Sequence, residues 1–307
     1  MIATRMAVRE TVLHKKAYLY LVIATICWGG NAVAGKLALG HISPMMLTFL
    51  RWLFAVSIIF AISLPQVIRD WPVVRKNLPI LMFYGVIGYV VFNAVLYTAL
   101  KYTTAINVVI EQSAIPMLIF IANFVLFRTR VSWAQIAGFS LTLVGVALTA
   151  SHGDLATLLT LDVNRGDALM LIAILGYTAY TIGLRWKPPV DWRTLMAIPA
   201  FFALIFSLPL VAWEYSADML ILPDTRGWVI AIYTAIFASL VAQVLYIKGV
   251  ENIGPNRAGL FINLIPVFGT LLSVLILGED LQTFHVAALV LALGGIAIAE
   301  RGKPDGP

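Results

Sequence analysis

The sequence predicts an all-α polytopic membrane protein: ten transmembrane helices in two inverted five-helix repeats, with both termini cytoplasmic. Three observations predict it. Of 307 residues, 61% are hydrophobic and 12% charged, against about 45–50% and about 25% in soluble domains. Apolar runs near the roughly 20 residues that cross a bilayer recur ten times. The stretch 106–150 also returns, gap-free, 150 residues later as 256–300.

The ten runs are 17–38, 44–64, 77–99, 105–127, 133–150, 167–186, 193–213, 227–248, 255–277 and 284–299, joined by short connections. The first imitates a cleavable signal peptide, with Lys15-Lys16 before it and Ala32-Val33-Ala34 near its end. Shifted by 149, however, Trp28 falls on Tyr177 and Lys36 on Arg185, so this span has a counterpart and is expected to be retained. In the repeated stretch, Ile115-Pro116 falls on Ile265-Pro266, Leu141 on Leu291 and Gly145 on Gly295. Trp71, Trp133, Trp192, Trp213 and Trp228 fall at span ends, where interfacial anchors belong.

Charge sets the orientation. With the N-terminus inside, sixteen Lys and Arg face the cytoplasm, and only Lys36, Lys101, Arg165 and Arg226 face outward. The outer loops carry Asp154, Asp162, Asp167, Glu214, Asp218, Asp224, Glu279 and Asp280. Excess Lys and Arg marks cytoplasmic loops. The expected divisions are a cytoplasmic segment 1–16, a first repeat 17–150, a periplasmic connector 151–166, a second repeat 167–300 and a cytoplasmic tail 301–307. Five spans per half is an odd number, so tandem copies sit in opposite orientations. That architecture is characteristic of secondary transporters, with a substrate site between the repeats.

Several features carry a family resemblance. They are Trp28-Gly29-Gly30-Asn31 with Lys36, Pro44 followed by Arg51-Trp52, Ala258-Gly259 with Pro266, and Leu277-Gly278-Glu279 before a glycine-rich last span. The sequence resembles the drug/metabolite transporter superfamily, in its ten-helix EamA-type branch, from residue 17 to 300. It departs at Arg128-Thr129-Arg130, where the family has a Gly-Glu turn. The resemblance implies export of small metabolites, with exporters of neutral and aromatic amino acids of the YddG type as the nearest functional analogue.

Two full charges lie within spans. Arg51 is roughly 10 Å and Glu111 about 9 Å below the outer helix ends, at about 1.5 Å per residue. An intramembrane charge is a functional hypothesis by default. Either the two form a structural ion pair between the second and fourth helices, or Glu111 takes a proton or a substrate ammonium while Arg51 meets a carboxylate. The repeat counterpart of Glu111 is Phe261, so packing alone does not require the acid. Pro116 and Pro266 interrupt the fourth and ninth spans at matching points and mark a midplane site or a packing kink. Asn31, Asn93, Asn107, Gln112, Asn123, Gln243 and Asn263 offer hydrogen bonds to neighbouring helices or to substrate. Trp28, Tyr84, Tyr89, Phe92, Tyr97, Tyr177, Tyr180 and Tyr246 supply walls for an amphipathic cavity or contacts with core and lipid.

No Walker loop, HExxH or GxSxG occurs, and the lone Cys27 excludes an intrachain disulfide. The expected partners are a small-molecule substrate, the inner-membrane bilayer and a proton, with no nucleic acid, metal or cofactor. The expected function is export of small amphipathic metabolites, most readily neutral or aromatic amino acids, by alternating access. A multidrug exporter and a non-transporting membrane enzyme or scaffold are the alternatives.

Overall fold

The computed structural model describes residues 2–128, 132–154, 164–253, 258 and 261–301, with side chains for all of these except 2–15 and 300. Thr129 and Arg130 of the charged turn, most of the connector, Arg257, Gly259 and the tail beyond Arg301 lie outside the described residues. Eight helices are long and apolar enough to cross a membrane: α1 (Lys16–Leu37), α2 (Pro44–Val74), α3 (Leu78–Ala99), α4 (Ala105–Phe127), α5 (Trp133–Ala150), α6 (Arg165–Trp186), α7 (Trp192–Ser216) and α8 (Thr225–Ile253). Two shorter apolar helices follow, α9 (Ile265–Leu277) and α10 (Thr283–Arg301). Lys16 and Arg301 therefore share one face of the bundle, the near face; the other is the far face.

The backbone departs from the sequence expectation in two places. The segment before Lys16 continues α1 as helix from Ile2. Helix α2 runs ten residues past the expected Leu64, through Pro65 and Pro72. A proline removes one donor and tilts the helix, but here the continuation is fastened: Asp70 Oδ2 accepts from the backbone N of Asp191 (3.0 Å) and Thr194 Oγ1 (2.7 Å) in the other repeat.

The repeats interlock rather than stand side by side. Helix α1 packs on α8 and α9, and its counterpart α6 packs on α3 and α4. The last helices of the two halves, α5 and α10, form a seam. A Cβ on Gly138 would strike the carbonyl of Gly295, one on Gly295 would strike the carbonyl of Gly138, and one on Gly145 would lie 2.8 Å from the carbonyl of Ala288. Between them Thr142 Oγ1 donates to Ala292 O at 3.3 Å. Residues 142 and 292 are repeat equivalents, as are 138 and 288, and 145 and 295. Each position thus meets the counterpart of its partner, the signature of a two-fold contact. The seam reads 138 against 295 and 145 against 288, so the two helices are antiparallel and the repeats inverted. Only residues without side chains allow backbones this close.

Helix irregularities repeat too. Tyr84–Val91 in α3 and Thr234–Val241 in α8 are π-helical, with both limits offset by 150 residues. Helix α4 breaks at Gln112–Ser113 and α9 begins after a turn at Asn263–Leu264, each just ahead of its proline. Pi-helical turns and breaks widen or free the backbone ladder and concentrate at functional sites. All four lie at mid-depth.

Candidate functional site

A cavity of about 730 Å³ lies between the repeats. It runs from the level of Arg51 toward the near face, reaching Asn123, Gln135, Leu184, Met196 and Ala299. Above Arg51 the far half is filled by a buried core that includes Ala38, Ile42, Leu47, Leu96, Tyr97, Leu100, Ala105 and Val109. The far face is fastened further: Glu279 accepts from the backbone N of Ala105 (2.8 Å) and Ile106 (2.9 Å), and Lys36 Nζ donates to the carbonyls of Leu100 (2.8 Å) and Thr103 (2.6 Å). A carboxylate on the first amides of a helix and an ammonium on the last carbonyls both complement the helix dipole.

Arg51 closes the cavity at its blind end. Its Nε donates to Ser239 Oγ (2.7 Å), and Nη1 faces Asn31 Oδ1 (2.8 Å), Asn93 Oδ1 (2.7 Å) and Tyr97 Oη (2.7 Å). Tyr97 in turn donates to Asn31 Oδ1 at 2.9 Å. All four acceptors are neutral, so the guanidinium is oriented without being neutralised. Nη2 makes no hydrogen bond to a described residue and is not sealed from the cavity. Ser239 belongs to the π-helical turn of α8 and donates back to Thr234 O, five residues earlier. That turn also leaves Ala238 O to accept from Trp28 Nε1 of α1 at 3.1 Å.

The walls are aromatic. Trp52 stacks flat on Tyr89 (4.6 Å between centroids), Tyr177 and Tyr180 meet at 5.4 Å, Phe92 lies 4.8 Å from Tyr177, and Trp28 packs on Tyr246 at 5.4 Å. Gln112, Gln243 and Asn263 supply amides to the lining, and Pro116 and Pro266 both reach it. Gln243 and Asn263 make no hydrogen bond to a described residue. Among the described lining residues, Arg51 is the one full charge.

Four of the residues singled out in the sequence stand elsewhere. Tyr84 is buried behind the wall and donates to Gly183 O at 2.7 Å. Tyr97 is off the lining and acts through Arg51. Tyr246, its counterpart at a shift of 149, lines the cavity, but the π-helical turns of α3 and α8 register at 150, so the two do not share one environment. Glu111 is 1% exposed, away from the cavity, and neither of its oxygens receives a hydrogen bond. The Arg51–Glu111 ion pair is not formed. Equal depth fixes height but not direction: one residue along a helix turns the side chain by about 100°, and here Gln112, not Glu111, points inward. Asn107 is likewise off the lining, whereas Asn123 is on it. Sequence reasoning missed Ser239, Trp52 and Gln135. A serine in an apolar run gave no sign of the π-turn that aims it.

Comparison with known proteins follows the same division of the chain. The EamA-like transporter family matches twice, over residues 15–151 and 164–300. The chain is 27% identical to the uncharacterized transporter YetK of Bacillus subtilis, across 96% of this chain and 91% of that one. It is 26% identical to a probable amino-acid metabolite efflux pump of Salmonella typhimurium, across 93% and 94%. It is 24% identical to the uncharacterized inner membrane transporter YicL of the same species, across 86% and 88%. A solved crystal structure superposes with a TM-score of 0.64 at 20% identity, covering 93% of this chain and 96% of that one, which shows the shared fold.

Proposed function

Because this chain belongs to the EamA-like transporter family and is a multi-pass inner-membrane transporter, we propose that it exports a small zwitterion with an apolar side chain, a neutral or aromatic amino acid, by alternating access. The observation that carries this reading is the unneutralised Arg51 at the blind end of an aromatic cavity. Its Nη2 offers two donors to a carboxylate, and charge-assisted hydrogen bonds of this kind are the strong ones. The stacked rings suit an apolar side chain, and the amides of Gln112, Gln243 and Asn263 suit an ammonium. A cavity of about 730 Å³ is in the usual range for small-molecule sites.

The charge pattern supports the side on which the cavity opens. Arg69, Arg75, Lys76, Arg185, Lys187 and Arg193 belong to the near face, and excess basic residues mark the cytoplasmic side. The cavity then faces the cytoplasm, in the state that loads cargo for export. The relative named as a probable amino-acid metabolite efflux pump supports the same reading. Export of cationic drugs is less well supported, because no acidic side chain stands on the described lining.

The test is exchange of labelled L-phenylalanine in proteoliposomes. Arg51→Gln is expected to lower exchange at least tenfold, and Arg51→Lys, which keeps the charge but not the fork, to lie between. Equal exchange by wild type and Arg51→Gln would remove the carboxylate site, and absence of exchange for any amino acid would favour a non-transporting role.

A further inference from the structure

The most anomalous groups in the molecule are two carboxylates on the far side of α4 from the cavity. Glu111 ends the first segment of α4, and Asp167 sits in the first turn of α6; they are 1% and 0% exposed. None of their four oxygens receives a hydrogen bond of normal length, although the Thr103 and Asn107 side chains lie close to Asp167. The first segment of α4, which Glu111 ends, packs against α6, which carries Asp167. Glu111, buried with no donor at all, cannot stay ionised at tolerable energy alongside a second buried carboxylate, so the pair keeps at least one proton. Among the described residues no set of side chains is grouped to hold a metal ion.

The surroundings name the route. His152 Nε2 stands 3.4 Å from Asp167 Oδ2, and the His152 side chain is 49% exposed. It lines a second, far-face pocket of about 420 Å³ together with Asn107, Glu279, Asp280 and His285. The other charged or titratable groups around this part of α4 are engaged. From α1, Lys36 is bonded to two carbonyls; at the end of α9, Glu279 caps α4. From α10, His285 Nδ1 accepts from the backbone N of Gln282 (3.0 Å), so its Nε2 carries the hydrogen and donates to Asn107 Oδ1 (3.0 Å). Asn107 passes the chain on to Thr103 Oγ1 at 3.1 Å. This fixes His285 as a neutral ring with no free acceptor. Asp154 shares the turn that carries His152, and Asp280 lines the mouth of the pocket.

We propose that Glu111 and Asp167 form a proton-binding pair, loaded from the far face through His152 and separate from the substrate cavity. A proton leaves Nε2 of the His152 imidazolium and joins Asp167 Oδ2; the neutral imidazole regains one from far-face water. Gain or loss of that proton changes the net charge buried where the first segment of α4 packs on α6. Its effect falls on the break in α4, because Glu111 immediately precedes Gln112–Ser113. For an exporter, protons entering from the far face would drive outward substrate movement, so the coupling role rests on the export reading. The proton site itself does not.

Two measurements separate these. Infrared difference spectra of the purified full-length protein, between acid and alkaline buffer, should show a protonated-carboxyl band that shifts in heavy water. Glu111→Gln and Asp167→Asn should each diminish the band, and subtracting the double variant from wild type should leave the component of the buried pair, free of the other carboxyls. His152→Gln should slow its hydrogen–deuterium exchange several-fold. A band unchanged in the double variant, or replaced by a response to sodium at constant pH, overturns the site. Exchange at wild-type rate in His152→Gln overturns the route. In proteoliposomes, the ratio of L-phenylalanine exit with and without a proton gradient directed from the far face should exceed unity several-fold. It should fall to unity in Glu111→Gln, and an unaltered ratio there overturns the coupling. If wild type moves no phenylalanine while the infrared band behaves as described, the export reading fails and the proton site stands.

Discussion

Asp70 and Glu214 perform the same task at opposite ends of one antiparallel helix pair. Asp70, near the end of α2, accepts from the start of α7. Glu214, near the end of α7, accepts from Ser43 Oγ (2.5 Å) and from the backbone N of Met46 (3.2 Å) and Met45 (3.4 Å) at the start of α2. Each helix therefore caps the other, and the bond crosses between repeats at both faces.

Removing either cap should loosen the joint. Glu214 is 3% exposed, so Glu214→Ala strands several donors, at about 1–3 kcal/mol. Asp70→Asn keeps one acceptor and should cost about 1 kcal/mol or less. Thermal melts of purified protein in detergent check the order; equal midpoints for wild type and Glu214→Ala would refute it.

The α5–α10 seam makes a sharper prediction. Gly138→Ala and Gly295→Ala each place a methyl against a carbonyl of the facing backbone and should cost about 1–3 kcal/mol or more. Gly294, one residue away, faces open space, so Gly294→Ala should be neutral or stabilising by up to about 1 kcal/mol. Comparing the three melting temperatures decides whether the seam is as tight as described.

Tyr97→Phe tests whether Arg51 must be held in place. The substitution deletes the hydroxyl that touches Nη1 and Asn31 without touching the cavity lining. Loss of a hydrogen bond to a charged group is worth about 1.5–3 kcal/mol. Part of that should appear as a several-fold loss of apparent substrate affinity in the exchange assay, with the melting temperature nearly unchanged. An unaltered affinity would show that Asn31, Asn93 and Ser239 suffice.

At the far face, His41 Nδ1 and Asp224 Oδ2 are 2.6 Å apart, and Asp224 Oδ1 accepts from Gly227 N at 2.8 Å. The backbone N–H of Gly227, then the His41 side chain, hold the Asp224 carboxyl below its usual range. A lowered carboxyl stabilises the folded arrangement above its ordinary range, near pH 4, and loses that contribution as pH falls through the lowered value. Hydrogen exchange at Gly227 and Trp228 should therefore accelerate in acid below the ordinary carboxylate range. In Asp224→Asn the rates should show no such acid step beyond the intrinsic one.

Much of this was legible in the residues. The 150-residue offset of Ile115-Pro116 and Gly145 announced the duplicated fold, but not that Gly138, Gly145 and Gly295 meet in a seam, which only the structure brings together. The apolar runs gave the helices with most bounds good to a few residues, α2 excepted, which runs ten residues past Leu64. Arg51 stood out as a charge in a span, and its depth followed from counting. Its direction, and that of Glu111, did not, since nearly uniform apolarity leaves lipid-facing and interior faces alike. The π-turns at Tyr84–Val91 and Thr234–Val241 also left no mark, because they answer to side chains from other helices, such as Trp28. The face on which the cavity opens was hidden as well: a duplicated sequence encodes both states.

Glu279 resolves that last ambiguity in an unexpected way. Its repeat counterpart is Thr129, which lies outside the described residues and has no carboxylate to offer a helix start. One side of an otherwise reciprocal machine thus owns a carboxylate latch with no carboxylate at the equivalent position of the other. The resting preference for a shut far side would then draw on this acidic turn beside Lys36 and the packed core, giving evolution one residue by which to bias how long the transporter waits for cargo.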